Sequence, residues 1–153
     1  MQLRFDYLAN HPELVPVLTA WFYNEWGRGN PANSLDLVEK RLRQRLHRDQ
    51  PPLALVAFLD EELVASTSIK IREMETHPQY EHWLGAVFVK PEYRGQGIGS
   101  KIVTHTLSIA RQLGVKELYL YTRSHEDFYN RLGWQPIERP QYHGRQAVIM
   151  KRE

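Results

Sequence analysis

Apolar and polar residues alternate from Gln2 to Leu8, with Leu3, Phe5 and Tyr7 in phase, and this period of two predicts a first strand. Asn10, with Glu13 three residues on, has the form of a helix cap. Leu14, Leu18, Trp21 and Phe22 then recur at helical spacing. The segment from Gly27 to Pro31 reads as a loop by composition. A second helix is expected from about Ser34, with Leu35, Val38, Leu42 and Leu46 on one face, ended by Pro51-Pro52.

Leu53 to Leu59 is an apolar run of strand length, Asp60 to Glu62 turn the chain, and Leu63 to Ile71 read as the return strand. Glu73 to Tyr80 are polar and irregular, and Trp83 to Val89 form a fourth strand. After a glycine-dense turn, Ile98, Ile102, Val103, Leu107, Ile109, Ala110 and Leu113 make a helical stripe. Gly114 stands where a helix-ending glycine belongs. A fifth strand is expected over Glu117 to Tyr121. Ser124 and Asp127 have the form of a capping box for a short helix closed by Gly133. Trp134 to Glu138 and Ala147 to Met150 complete the strands.

The early strands, joined by short turns, predict antiparallel pairing. The strand–helix–strand from Trp83 to Tyr121 predicts a parallel crossover. The expectation is one α/β (α+β) domain over residues 1–153, a mixed central sheet of about seven strands with helices on both faces.

Composition changes this picture little. The 153 residues carry 42% hydrophobic and 25% charged side chains, ordinary values for a globular domain. There is no cysteine, which excludes a disulfide framework, a thiolate zinc site and a cysteine nucleophile. No signal-peptide pattern opens the chain and no run reaches membrane-spanning length, so the expectation is a cytoplasmic protein without membrane contact. Twenty basic against 18 acidic residues do not predict a nucleic-acid partner. The densest basic run, Lys40 to Arg48, reads as a solvated helix face.

The informative segment is Val87-Phe88-Val89-Lys90-Pro91-Glu92-Tyr93-Arg94-Gly95-Gln96-Gly97-Ile98-Gly99-Ser100. A strand enters a basic, glycine-dense turn that opens an amphipathic helix. Amides at a helix start are unpaired and partly positive, and glycines let a ligand approach the backbone. Such a turn suits a phosphate or diphosphate. Gly99-Ser100-Lys101 has the wrong order for a Walker loop, and Gly95, Gly97 and Gly99 lack the spacing of a dinucleotide fingerprint.

Arg94-Gly95-Gln96-Gly97-Ile98-Gly99 resembles the Arg/Gln-x-x-Gly-x-Gly loop of the GNAT acetyltransferases, which grips the diphosphate of coenzyme A; Val89 to Arg94 (Val-Lys-Pro-Glu-Tyr-Arg) extends the match. Phe128-Tyr129-Asn130-Arg131-Leu132-Gly133-Trp134 is similar to a second signature of that family. The resemblance implies splayed fourth and fifth strands with acetyl-CoA between them as cosubstrate, and no metal. It implies contacts from Val87, Phe88, Val89, Arg94, Gly95, Gln96, Gly97, Ile98, Gly99 and Ser100, and Tyr129 beside the thioester as catalytic acid. It further implies direct acetyl transfer to a primary amine of a small molecule or peptide. Homodimers are common in the family and are an expectation by analogy.

Relatives often carry a glutamate about 11 residues before the loop's first Arg/Gln; here that position is Trp83. The proton acceptor is therefore open among Glu25, Glu73, Glu81, His82, His125 and water. Substrate-side residues are expected to be Glu25, Trp26 and Trp83. A non-catalytic acyl-CoA-binding regulatory module on the same fold is the alternative, and a nucleotide-binding domain of another kind is a third.

Overall fold

The computed structural model describes residues 2–153. In chain order the elements are β1 (Leu3–Tyr7), α1 (Val15–Phe22), α2 (Leu35–Arg43), β2 (Leu53–Leu59), β3 (Glu62–Ile71), β4 (His82–Val89), α3 (Ile98–Gln112), β5 (Leu118–Thr122), α4 (Glu126–Arg131), β6 (Gln135–Glu138), β7 (Gln141–Tyr142), β8 (Arg145–Gln146) and β9 (Val148–Arg152). Seven strands form one sheet in the order β1-β2-β3-β4-β5-β9-β6. Every neighbouring pair is antiparallel except β4 and β5, which run parallel around the α3 crossover. The mixed sheet expected from the sequence is present, and β7 and β8 add a small separate hairpin that the sequence pattern did not reveal.

Alternation along the strands assigns the two faces. Ala54, Val56 and Phe58 of β2 pack with Leu18, Phe22 and Leu42 of α1 and α2. Leu53, Leu55, Ile69, Leu84, Leu118 and Leu120 face the other way and pack with Val103, Leu107 and Ala110 of α3. α3 is additionally fixed by a buried hydrogen bond, 2.6 Å long, between the hydroxyls of Thr67 and Thr106.

Three local expectations are corrected. Asn10 does not cap α1; its amide donates to Asp6, and two single-turn 3-10 segments precede a helix that begins only at Val15. Ser124 does not cap α4. The Thr122 hydroxyl accepts from the amides of Ser124 and His125 instead, and His125 occupies the cap position without a side-chain bond. Leu35 lies 51% exposed at the first turn of α2, while Leu42 two turns on is buried. Ser34 does cap α2, its hydroxyl accepting from the Leu37 amide at 3.1 Å.

What positions the site is the break between β4 and β5. Only Trp83 and Tyr119 stand opposite each other in that pairing. Beyond Trp83, β4 bulges: Ser68 pairs Gly85 and Ser66 pairs Phe88, so Ala86 and Val87 together oppose Thr67. Ala86 takes a left-handed φ of 50°, which swings the strand away from β5. The edge of β4 past the bulge therefore keeps backbone donors and acceptors that no strand pairs.

Candidate active site

The glycine turn follows β4 directly. Gly95 and Gly97 have φ of 79° and 84°, values that L side chains rarely adopt, and no atom lies within 4 Å of where a Cβ would stand on either. Their glycines are required by backbone conformation, with open space above them. Gly97 is the cap residue of α3, so the first amides of that helix point out of the turn, and no acidic side chain occupies the first turn. Gly99 lies close to Val89 on one side and Phe128 on the other, where a Cβ would meet them at 3.6 and 3.5 Å. This seats the helix start against both β4 and α4. Ser100 donates its hydroxyl to the Gly97 carbonyl.

Arg94 leans back from the turn. Its Nε donates to the Val89 carbonyl at 2.8 Å, its guanidinium lies 5.4 Å from the Phe88 ring, and Nη2 stands 3.2 Å from Glu25 Oε1. Glu25 sits in a π-helical turn, Tyr23–Gly27, that continues α1. Such turns are often found at functional sites. Trp26 from the same turn is 48% exposed and rests on Phe22 and Phe88.

Tyr129 comes from α4, across the gap from the bulge. Its ring is nearly buried between Phe128 and Trp134, with centroids 5.0 and 6.2 Å away. Its hydroxyl forms no hydrogen bond with any described residue. Burial pushes the phenol up to about 12, so it holds its proton at neutral pH.

Trp83 is not where the sequence reading put it. It is fully buried among Met74, Tyr119, Tyr142 and Ile149, and its indole N–H donates to the Tyr80 carbonyl at 2.8 Å. It holds β4 to β5 and can touch no substrate. Glu81 and His82 precede Trp83, at the closed end of the strand pair, and His125 is exposed at the start of α4. Glu25 stands beside Arg94, and Glu73 lies just past the end of β3. It is half-buried and 2.9 Å from Lys70 Nζ, and its charge is among the causes that hold the Tyr121 phenol up, after burial.

Sequence reasoning missed Lys70 and Arg45. Arg45 belongs to the run assigned to solvent, yet α2 ends at Arg43 and the next turn folds Arg45 inward to donate to Ser68 Oγ at 3.1 Å. It also missed the bulge, for which the adjacent small residues Gly85 and Ala86 inside a strand were the available signal.

The model of the acetyltransferase (GNAT) family matches residues 13–134. The thialysine N-epsilon-acetyltransferase of Bos taurus is 38% identical over 68 residues, a stretch that is 38% of this chain and 40% of the cattle protein. The chain thus matches less than half the length of that relative. An aminoglycoside 6'-N-acetyltransferase solved with coenzyme A superposes with a TM-score of 0.76 at 16% identity, over 99% of this chain and 96% of that one. A protein from Salmonella typhimurium, solved with acetyl-CoA as its cofactor, superposes with a TM-score of 0.75 at 16% identity, over 99% and 93% of the two chains.

Proposed function

We propose the following from the premise that this chain belongs to the acetyltransferase (GNAT) family: it transfers the acetyl group of acetyl-CoA directly to a primary amine of a small molecule or peptide. The observation that carries this reading is the open gap between β4 and β5, with an unpaired strand edge on one side, a glycine-lined helix start at its mouth and a protonated phenol at its back.

The residues fit the cosubstrate part by part. The amides at the head of α3, with Gly95 to Ser100 around them, would hold the diphosphate. The free edge of β4 around Val87, Phe88 and Val89 would pair with the pantetheine amides as an added strand does. Acetyl-CoA supplies a thioester carbonyl that amines attack. A backbone N–H at the Ala86–Val87 bulge is suited to stabilise the negative charge that develops on that carbonyl oxygen. Tyr129 holds a proton it can pass to a departing thiolate. Glu73, through water, is the group we assign to take the proton that the amine gives up. Glu25 and Trp26 form the wall of the acceptor entrance.

Among the described residues no helix is long and apolar enough to cross a membrane. The cytoplasm, whose reducing conditions keep coenzyme A a free thiol, is the compartment that goes with this reading. A panel of amines assayed for acetyl-CoA-dependent thiol release, beside calorimetry with acetyl-CoA, tests it. Binding with turnover of at least one amine is expected. Saturable binding with no transfer to any amine would leave an acyl-CoA-binding module and remove the enzyme.

A further inference from the structure

The sheet face beyond α2 carries two cations, Arg45 and Lys70, that have no role in the transfer chemistry above. Ser68, Lys70 and Gly85 share this face, and Ser68 pairs with Gly85 across the ladder. The Lys70 side chain lies over Gly85: its Cδ, Cε and Nζ stand 3.1, 3.1 and 3.3 Å from the position of a Cβ there. Arg45 reaches the same spot from the end of α2 through its bond to Ser68. Two cations thus converge one residue before the bulge that marks the gap.

Their counter-charge is incomplete. Lys70 has Glu73 at 2.9 Å. Arg45 has no carboxylate within salt-bridge distance among the described residues; its hydrogen bond goes to a neutral hydroxyl, and Glu73 reaches it only as a longer-range charge. Arg41, at the end of α2, adds a further positive charge that acts on both. Glu75 is engaged elsewhere, by Tyr142 at 2.7 Å and His143 at 3.3 Å. Burial disfavours the charged forms of both Lys70 and Arg45, and the one carboxylate that opposes this, Glu73, is shared between them.

We infer that Arg45 and Lys70 form a carboxylate subsite, so that the amine acceptor is an amino acid whose carboxylate lies within a few bonds of the reacting nitrogen. This rests on the acetyltransferase reading and names its substrate class. Arg and Lys donate charge-assisted hydrogen bonds to a carboxylate, and a substrate carboxylate supplies the missing negative charge. The subsite's nearness to the bulge places an amine a few bonds from that carboxylate at the mouth of the gap. The arrangement also selects the reactive form. An amino acid with a neutral amine carries one net negative charge, which offsets part of the surplus, whereas surplus positive charge disfavours the ammonium. Acetylation then forms the C–N amide bond, breaks the thioester C–S bond, and leaves the amine's proton on the protein side and the thiolate to be protonated.

The experiment compares amino acids with their carboxamides, which keep the amine and lose the charge. Wild-type kcat/KM is expected to favour the acid by about tenfold to a hundredfold. In Lys70→Met and Arg45→Gln that ratio should fall toward one, with the calorimetric affinity for acetyl-CoA unchanged. Carboxamides or simple diamines used as well as the acids by the wild type would overturn the subsite while leaving the acetyltransferase reading in place. A ratio preserved in both variants would overturn it as well. Absence of acetyl-CoA binding to the wild type would remove the reading and the inference together.

Discussion

Trp83 and Tyr119 are the one register pair between β4 and β5 among the described residues, with ring centroids 5.8 Å apart and tilted by 45°. The strands touch there and part beyond it. Trp83 is therefore a structural hinge post rather than a substrate wall. Trp83→Ala should cost about 3–5 kcal/mol of stability, a buried aromatic truncation, and lower the melting temperature by roughly 10 °C. Trp83→Phe should fold and leave the KM for the amine where it was; a raised amine KM in that variant would return Trp83 to the acceptor site.

Arg94 faces two claims on its guanidinium. In this structure it is paired with Glu25, and a bound diphosphate would compete for it. Both side chains are well exposed, so the pair is a weak restraint. Glu25→Ala should tighten coenzyme A binding by about two- to fivefold at low salt, and the gain should shrink as ionic strength rises. Titration calorimetry at two salt concentrations reads this directly, and weaker binding in the variant would mean that Glu25 positions Arg94 instead of competing for it.

Tyr129→Phe should lower kcat by about a hundredfold to ten-thousandfold, with acetyl-CoA affinity unchanged. Because the phenol is held up to about 12, kcat should show no alkaline limb from this group through pH 10. The linkage to stability has a definite sign. The folded-state value lies above the ordinary value near 10, so the stabilisation is complete below pH 10 and is lost as pH rises toward 12. Denaturant melts should find that Tyr129→Phe loses less stability across that window than the wild type. Tyr80, Tyr93, Tyr119, Tyr121, Tyr142 and Lys90, whose protonated forms the fold also favours, contribute to the loss that remains.

Different parts of this molecule were legible in the sequence for different physical reasons. Gly95 and Gly97 could be read because positive φ leaves glycine nearly alone as a choice, so conformation writes itself into residue type. The sheet and its two faces could be read because burial imposes a period of two along β1 and of about 3.6 along α3. The caps at Asn10 and Ser124 could not, because hydroxyl and amide side chains have several local partners; Asp6 and the Thr122 hydroxyl won the competition. Arg45 was hidden for a related reason. A basic run looks like a solvated face until the helix ends, and here the end at Arg43 turns the next cation onto β3. The bulge at Ala86 is a product of pairing between β3 and β4 and leaves only small residues as its trace.

The amides around Gly97 are the groups expected to hold the diphosphate of coenzyme A. Gly97→Glu places a carboxylate at the open mouth of that turn, at a φ of 84° that L side chains rarely adopt. Calorimetric titration of the wild type and this variant with acetyl-CoA, each checked for folding by circular dichroism, is the decisive measurement. The prediction is saturable binding by the wild type and a loss of at least about a hundredfold in the folded variant, the scale of removing charge-assisted hydrogen bonds and adding repulsion. Equal affinity in the two proteins would contradict it.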